Sequence, residues 1–363
     1  MPKVLLIENY LPDQQLSMLR YGDVLKKELE KIGYNFVSLR PTSLFGRLPS
    51  PQKLKKWLRY IDKYILFPIR LKFTSHSFDL VHILDHSNGV YVNSFRKNKV
   101  IITCHDLLAI RAALGEIPQQ EISKTGKILQ KWIRKSLSKI PYVISVSAAS
   151  QKDLDRICPP MNGYVRKVIS TGVLLSDHEP RNLSSDTQPF LLHVGGNQWY
   201  KNRSYVVDLF SNLKTTEPFR NHKLFLVGKP PSPSLLQSID NSDQADAIEC
   251  LTDVSDEELI RYYRQAEALL FPSLYEGFGL PIIESQSHKT WVITTQKDPM
   301  MDIAGEGATL VSPKDSENAC STILEEYSKK DELIKAGTRN LERFSMPLMI
   351  KNITKFYEEV ASI

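Results

Sequence analysis

The 363-residue chain holds only four cysteines, Cys104, Cys158, Cys250 and Cys320, and they are too scattered to form a CxxC pair or any other ligand spacing. That excludes a structural zinc site and a disulfide framework, and leaves them as reduced packing residues. Long hydrophobic runs are missing too: no apolar stretch approaches the roughly 18 residues that span a bilayer. MPKVLLIENY at the start has the pattern of a buried strand, so the expectation is a cytoplasmic protein without a cleaved leader. Internal repeats and low-complexity segments are absent. Acidic residues are scarce in the first half, where residues 1–170 carry 28 Lys and Arg against 13 Asp and Glu, a net of +15, while the remainder nets −9. A chain of this length exceeds one ordinary core, and the opposite charge of its halves also argues for two domains.

What is present is an alternation of short apolar runs with longer helical patterns, the mark of βαβ units and parallel sheets. In the first half the strands are expected at 3–9, 35–41, 80–85, 100–106, 142–147 and 167–171. In the second they are expected at 190–196, 223–229, 247–251, 268–273, 291–295 and 308–312. A helix over 21–33 should stop at Gly33. Ser255 with Glu258 forms a capping box that specifies a helix start. The polar, aperiodic stretch 176–188 reads as a linker. The fold class is therefore α/β with doubly wound domains. The boundaries are expected at 1–175 for the first domain and 185–345 for the second, with 346–363 as a final helix.

Ligands of open parallel sheets bind outside the carboxyl ends of the strands. Four features of the second half fall there: Gly195-Gly196, Gly228-Lys229, Val254, and LYEGFGLPIIES at 274–285. In the last, Glu276 hangs from a strand-end loop and Glu284 lies one turn inside the next helix, so that both are expected to face one crevice. The glycines allow close approach of a ligand, and Pro281 suits the first turn of a helix whose free amide groups attract an anion, best a phosphate. Lys201 and Lys229 are candidate counter-charges. Glu284 is suited to accept hydrogen bonds from a ribose diol, and Glu276 to address what lies beyond the phosphates. An isolated Glu-x7-Glu pair would be read as two solvated carboxylates around a helix cap; the surrounding segments favour a site.

Taken together, HVGGNQWYKN at 193–202, FLVGKP at 225–230, residues 252–285 and residues 343–360 resemble the retaining nucleotide-sugar glycosyltransferases of sequence family four, the glycosyl transferases group 1. Weaker matches, TCHDLL at 103–108, ISVSAASQKDL at 144–154 and VISTGV at 168–173, follow in order in the first half. The resemblance implies the GT-B fold, two facing Rossmann-like domains with an interdomain cleft, residues 1–175 on the acceptor side, 185–345 binding the nucleotide sugar, and the helix of 346–363 crossing back to the first. It implies a hexose-type transfer from a nucleotide-diphosphate sugar to a glycan or lipid-linked acceptor, with retention of configuration, no metal and no cofactor. It assigns Glu276, His105 and Lys201 to catalysis: Glu276 and His105 to the donor sugar, Lys201 to the departing diphosphate. Gly195, Gly196, Lys229, Val254, Gly277, Phe278, Gly279, Leu280 and Glu284 would bind the donor. No DxD-type metal triad stands near these segments, as the metal-free reading expects. Family members often carry an arginine where Gly196-Asn197 stand, so that positive contact is either missing or supplied elsewhere, with Arg203 as the candidate. A glycine pair that many members carry near the amino terminus is absent from residues 7–22. These departures keep open a second reading, a catalytically silent GT-B protein that binds nucleotide sugar or a partner transferase.

The basic charge of the first half gathers in KLKKWLRYIDKYILFPIRLK at 53–72 and SKTGKILQKWIRKSLSKI at 123–140, which mix Trp, Leu and Ile with Lys and Arg. Such composition suits peripheral contact with an anionic membrane, here its inner face. The plainer alternative is a pair of surface helices with their apolar sides in the core. No recognition motif accompanies the charge, so nucleic acid is not an expected partner.

Overall fold

Strands whose two faces are both covered should be apolar throughout, and Val4–Ile7 has no solvent exposure at any of its four positions. It is the first of twelve strands in the computed structural model, which describes residues 1–74, 77–95, 98–175 and 188–363. The linker expected at 176–188 lies almost wholly outside these residues. The chain divides into two units, residues 1–170 with 347–363, and residues 171–346.

The first unit is a six-stranded parallel sheet of β1 (Val4–Ile7), β2 (Phe36–Leu39), β3 (Leu80–Ile83), β4 (Lys99–Cys104), β5 (Tyr142–Ser145) and β6 (Val165–Val168), in the order β2-β1-β3-β4-β5-β6. The helix expected from Tyr21 begins at Leu16 and runs to Lys31, with Gly33 beyond it in the left-handed region. Its start gave no local signal because Gln15 offers no capping hydrogen bond. Strand β6 lies two residues before its expected place. It is a partly exposed edge strand of sequence VRKV, with no apolar run to mark its ends.

From Pro347 the helix Met346–Ser362 belongs to the first unit. There His82, fully buried on β3, meets the Tyr357 hydroxyl at 2.6 Å and the Thr103 hydroxyl at 2.8 Å. Lys99 donates to the Ala361 carbonyl at 2.7 Å, and Lys167 pairs with Glu359.

The second unit is another six-stranded parallel sheet: β7 (Phe190–Val194), β8 (Lys223–Val227), β9 (Ile248–Leu251), β10 (Ala268–Phe271), β11 (Trp291–Thr295) and β12 (Thr309–Val311). Its order is β12-β11-β10-β7-β8-β9. The capping box forms as expected, with Ser255 and Glu258 bonded reciprocally at the start of helix Asp256–Gln265. Each unit is thus a doubly wound α/β domain of the kind that makes up the GT-B fold. Among the described residues no helix is long and apolar enough to cross a membrane.

Two core histidines give both units an acid weakness. Burial lowers His82 to about 3, with His105 adding to the effect. Burial likewise lowers His193, on β7, to about 3, opposed by its bond to Leu270 and helped by Arg203 and Lys201. Unfolded histidine binds its proton near pH 6.5, so below that pH the unfolded state holds more protons. The stability these neutral rings contribute is complete above pH ~6.5 and is lost as the pH falls towards ~3, at up to about 1.4 kcal/mol per pH unit for each histidine. Thermal melts taken from pH 7.5 down to 5.5 should show falling midpoints, and a flat profile would contradict the neutral assignment.

Candidate functional site

The order of the second sheet reverses between β7 and β10. From β7 the chain moves outward to β8 and β9, then returns to the other side of β7, so the loops leaving β7 and β10 diverge and open a crevice at their carboxyl ends. Both loops carry sequence-predicted residues. After β7 come Gly195 and Gly196, and after β10 the chain runs through Glu276, Gly277 and Phe278 to Gly279.

The first loop is pressed against the loop after β8. The Gly195 amide donates to the Val227 carbonyl and the Gly228 amide to the Leu251 carbonyl, both at 3.0 Å. A Cβ on Gly228 would stand 2.0 Å from the Gly195 carbonyl oxygen, so only glycine fits there. Beneath Gly195, His193 is buried with Nδ1–H donating to the Leu270 carbonyl across the β7–β10 junction at 2.9 Å.

Lys201 follows in a 3-10 turn, Trp199–Lys201, and reaches over to the second loop. Its Nζ lies 2.7 Å from Glu276 Oε1, with both side chains mostly buried, and 5.3 Å from the centre of the Phe271 ring. Two bonds hold the two loops in this register, and a third ties the first of them to the segment after β12. The Leu274 amide donates to the Tyr200 carbonyl at 2.7 Å, and Asn202 Nδ2 donates to the carbonyls of Pro272 and Pro313 at 3.1 and 2.9 Å.

Beyond Glu276, Phe278 is buried edge-on against Phe344, which pins the loop. Gly279 then turns the chain with φ of 110°, a conformation that excludes other residues, and helix Leu280–Ser287 begins. No side chain caps this start; Pro281 carries no amide hydrogen and the Ile282 amide donates to the Gly279 carbonyl at 2.9 Å, so what the helix offers an anion is the positive end of its dipole.

Residues 176–340 match the model of the family described as Glycosyl transferases group 1. The match spans most of the second unit, which is therefore similar to the group 1 glycosyl transferases. The chain is 23% identical over 243 residues to O-antigen chain mannosyltransferase B of Escherichia coli, covering 63% of this chain and 61% of that protein. It is 25% identical over 297 residues to O-antigen chain mannosyltransferase RfbU of Salmonella typhimurium, covering 81% and 77%. Among solved structures, sucrose-phosphate synthase from Thermosynechococcus elongatus superposes over the full length of both chains with a TM-score of 0.76 at 17% identity. Anabaena HepE, solved with UDP and glucose, gives 0.72 at 16% identity over 99% of this chain and all of that one.

Within the second unit, the structure brings together Gly195, Gly196, Gly228, Lys201 and Glu276 beside Gly277–Leu280. Other predicted residues have different surroundings. Glu284 is buried one turn down the helix, where Oε2 accepts from the Tyr263 hydroxyl at 2.8 Å. Lys229 is an exposed residue whose carbonyl is held by Arg203. Val254 stands after β9, the edge strand, next to the capping Ser255. Arg203 is only 5% exposed, and burial lowers its pKa. Its guanidinium donates to Asn197 Oδ1 at 2.6 Å, to the Lys229 carbonyl at 3.2 Å and to the Leu226 carbonyl at 3.5 Å. It therefore braces the loops after β7 and β8 from within, rather than presenting a charge to a ligand as its sequence position suggested. Among the described residues, no group of three or more His, Cys, Asp or Glu is placed to hold a metal ion.

His105 belongs to the first unit, at the carboxyl end of β4. Its Nε2–H donates to the Leu84 carbonyl at 2.9 Å, which leaves Nδ1 as the acceptor, and its ring stands edge-on to Tyr21. Burial lowers its pKa against the pull of Asp85, so the ring is neutral at pH 7. Nearby loops complete a buried polar cluster that sequence reasoning missed. Asn9 Nδ2 donates to Asp85 Oδ2 at 2.6 Å, Asn88 donates to Asn9 Oδ1 at 3.1 Å, and His86 lies 3.3 Å from Asp85. Burial pushes Asp85 up, but His86, His105, the Ser87 amide and Asn9 together hold it below the usual carboxylate range. Asn9 and Asp85 lie 76 residues apart, and no local pattern signals their meeting.

Proposed function

We propose that the protein moves a hexose from a nucleotide-diphosphate sugar to a glycan or lipid-linked acceptor, with retention of anomeric configuration and without a metal. The observation that carries this reading is the Lys201–Glu276 pair, 2.7 Å apart at the sheet's reversal, beside a helix amino end that no side chain caps. When the bond between the sugar and the diphosphate breaks, its electron pair passes to the diphosphate and the anomeric carbon becomes cationic. Lys201 and the positive end of the helix Leu280–Ser287 meet the first charge. Glu276, held by Lys201 on one side, offers its carboxylate to the sugar. In this reading the leaving-group charge needs no divalent cation, and transfer proceeds in the presence of a chelator.

Glu284 acts on the ribose through its carboxylate in exchange for or alongside Tyr263, and Lys229 and Val254 border the nucleotide. The polar cluster of Asn9, Asp85, His86 and His105 is by itself a candidate hydroxyl-binding site of the first unit. Mannose is the first sugar to test, because the O-antigen relatives are named mannosyltransferases.

A thermal-shift panel of UDP-, GDP- and ADP-sugars tests the donor site. One nucleotide series is expected to raise the melting temperature and then to serve as donor to a lipid-linked or soluble glycan with chelator present. No shift across the panel would sink the donor site, and a shift without transfer to any acceptor would favour the silent alternative.

A further inference from the structure

We propose that the first unit docks on an anionic lipid bilayer through the face built by residues 52–74 and 124–139. In the first of these segments, helix Gln52–Ile61 passes through a π turn, Asp62–Leu66, into helix Phe67–Thr74. Trp57, Ile61, Ile65, Ile69 and Phe73 recur every fourth residue. A four-residue repeat overruns the 3.6-residue turn of an α-helix, and the wider π turn between them offsets that drift, keeping the row on one side. The row is turned to solvent: Trp57 is 53% exposed, Ile65 54%, Ile69 49% and Phe73 82%. The core side is filled separately by Phe67 and Leu71.

The charge of the same segment points the same way. Its one acid, Asp62, is turned inward and accepts from the amides of Phe45 and Gly46 and from the Tyr10 hydroxyl. Lys56, Arg70 and Lys72 remain exposed beside the apolar row.

The second segment, helix Lys124–Leu137, buries Ile133 and Leu137 and exposes Lys124, Lys127, Lys131 and Lys135, followed by Lys139. Between these lysines Ile128 is 70% and Trp132 40% exposed. The two segments adjoin through a file of rings, Trp57 to Tyr60 to Tyr64 to Trp132, with centres 5.7, 5.3 and 5.5 Å apart.

Scattered exposed apolar side chains need no explanation, but a continuous row edged by cations does. Residues 52–74 and 122–140 hold 13 of the 28 Lys and Arg of residues 1–170, and one of their 13 Asp and Glu. A surface with this charge selects an anionic partner. Tryptophans at its centre, and lysines long enough to lift their ammonium groups to phosphate level, match a lipid interface in particular. The inference stands independently of the transferase reading, because binding is read without turnover.

Flotation of the full chain with vesicles tests it, using phosphatidylcholine alone or mixed with phosphatidylglycerol. Binding is expected only to the mixed vesicles, weakening as salt is raised. The triple variant Lys127→Gln, Lys131→Gln, Lys135→Gln should partition roughly a hundredfold less well. Ile128→Asp with Phe73→Asp should also release the protein, and both variants should melt as the parent does, since all five positions are exposed. Failure of the parent to float, or undiminished flotation of the triple variant, would overturn the proposal. So would a dimer that Ile128→Asp dissociates in the absence of any vesicle binding, because the face would then belong to a second copy.

Discussion

Lys201→Met is expected to lower turnover of the donor sugar by about 10²- to 10³-fold, the usual cost of removing one preorganised group from a developing negative charge. The ammonium sits beside the Phe271 ring and against Glu276, where little water screens it, so its field on a departing diphosphate is stronger than in solution. The same substitution leaves Glu276 without its cation in a mostly buried place, and some stability goes with it. A double variant, Lys201→Met with Glu276→Gln, separates the two effects. It removes both charges, so the melting temperature should recover towards the parent value while turnover stays low. If turnover recovered together with stability, the pair would be a structural ion pair only, and the proposed role of Lys201 would fall.

Gly228→Ala should damage the fold and the site at once. The added methyl carbon would lie 2.0 Å from the Gly195 carbonyl oxygen and 2.9 Å from its carbon, both backbone atoms that no rotamer change can move. Amide bonds to Val227 and Leu251 hold the two loops on neighbouring strands, so relief must come from parting the carboxyl ends of β7 and β8. Overpacking of this kind costs about 3 kcal/mol. On a unit of this size that lowers the melting temperature by roughly 6–12 °C. Nucleotide-sugar binding should weaken as well, because Gly195 and Lys201 move with the loop. Gly196→Ala is the control: its methyl would meet only the end of the Gln198 side chain, which can swing away, and stability should hardly change. Equal melting temperatures for Gly228→Ala and the parent would refute the close approach.

Periodicity marked the buried strands well where both faces are covered. VLLI and ALLF are apolar throughout, and each is a strand close to its expected place. It failed where burial is one-sided. Strand β6, with Arg166 and Lys167 adjacent at the sheet edge, lies two residues before its expected place, and the helix at Leu16 begins without a cap. The loop residues of the site were legible for a related reason. Glycine, proline and a strand-end carboxylate impose local backbone geometry, so Gly279 and Glu276 announce a turn and a helix start from a few neighbours alone. Arg203 does not supply the contact missing at Gly196-Asn197, because position in sequence says nothing of burial, and burial makes this cation an internal brace.

The sequence by itself therefore determined the α/β alternation, the capping box at Ser255 and the strand-end positions of the motif residues, because helix period, strand period and turn chemistry act over a handful of residues. Tertiary structure alone decided which of those strand ends meet. The reversal between β7 and β10, the 75-residue reach from Lys201 to Glu276 and the 76-residue reach from Asn9 to Asp85 follow from the sheet order that buries the most apolar surface. That order is a property of the whole core, and no short stretch of chain encodes it.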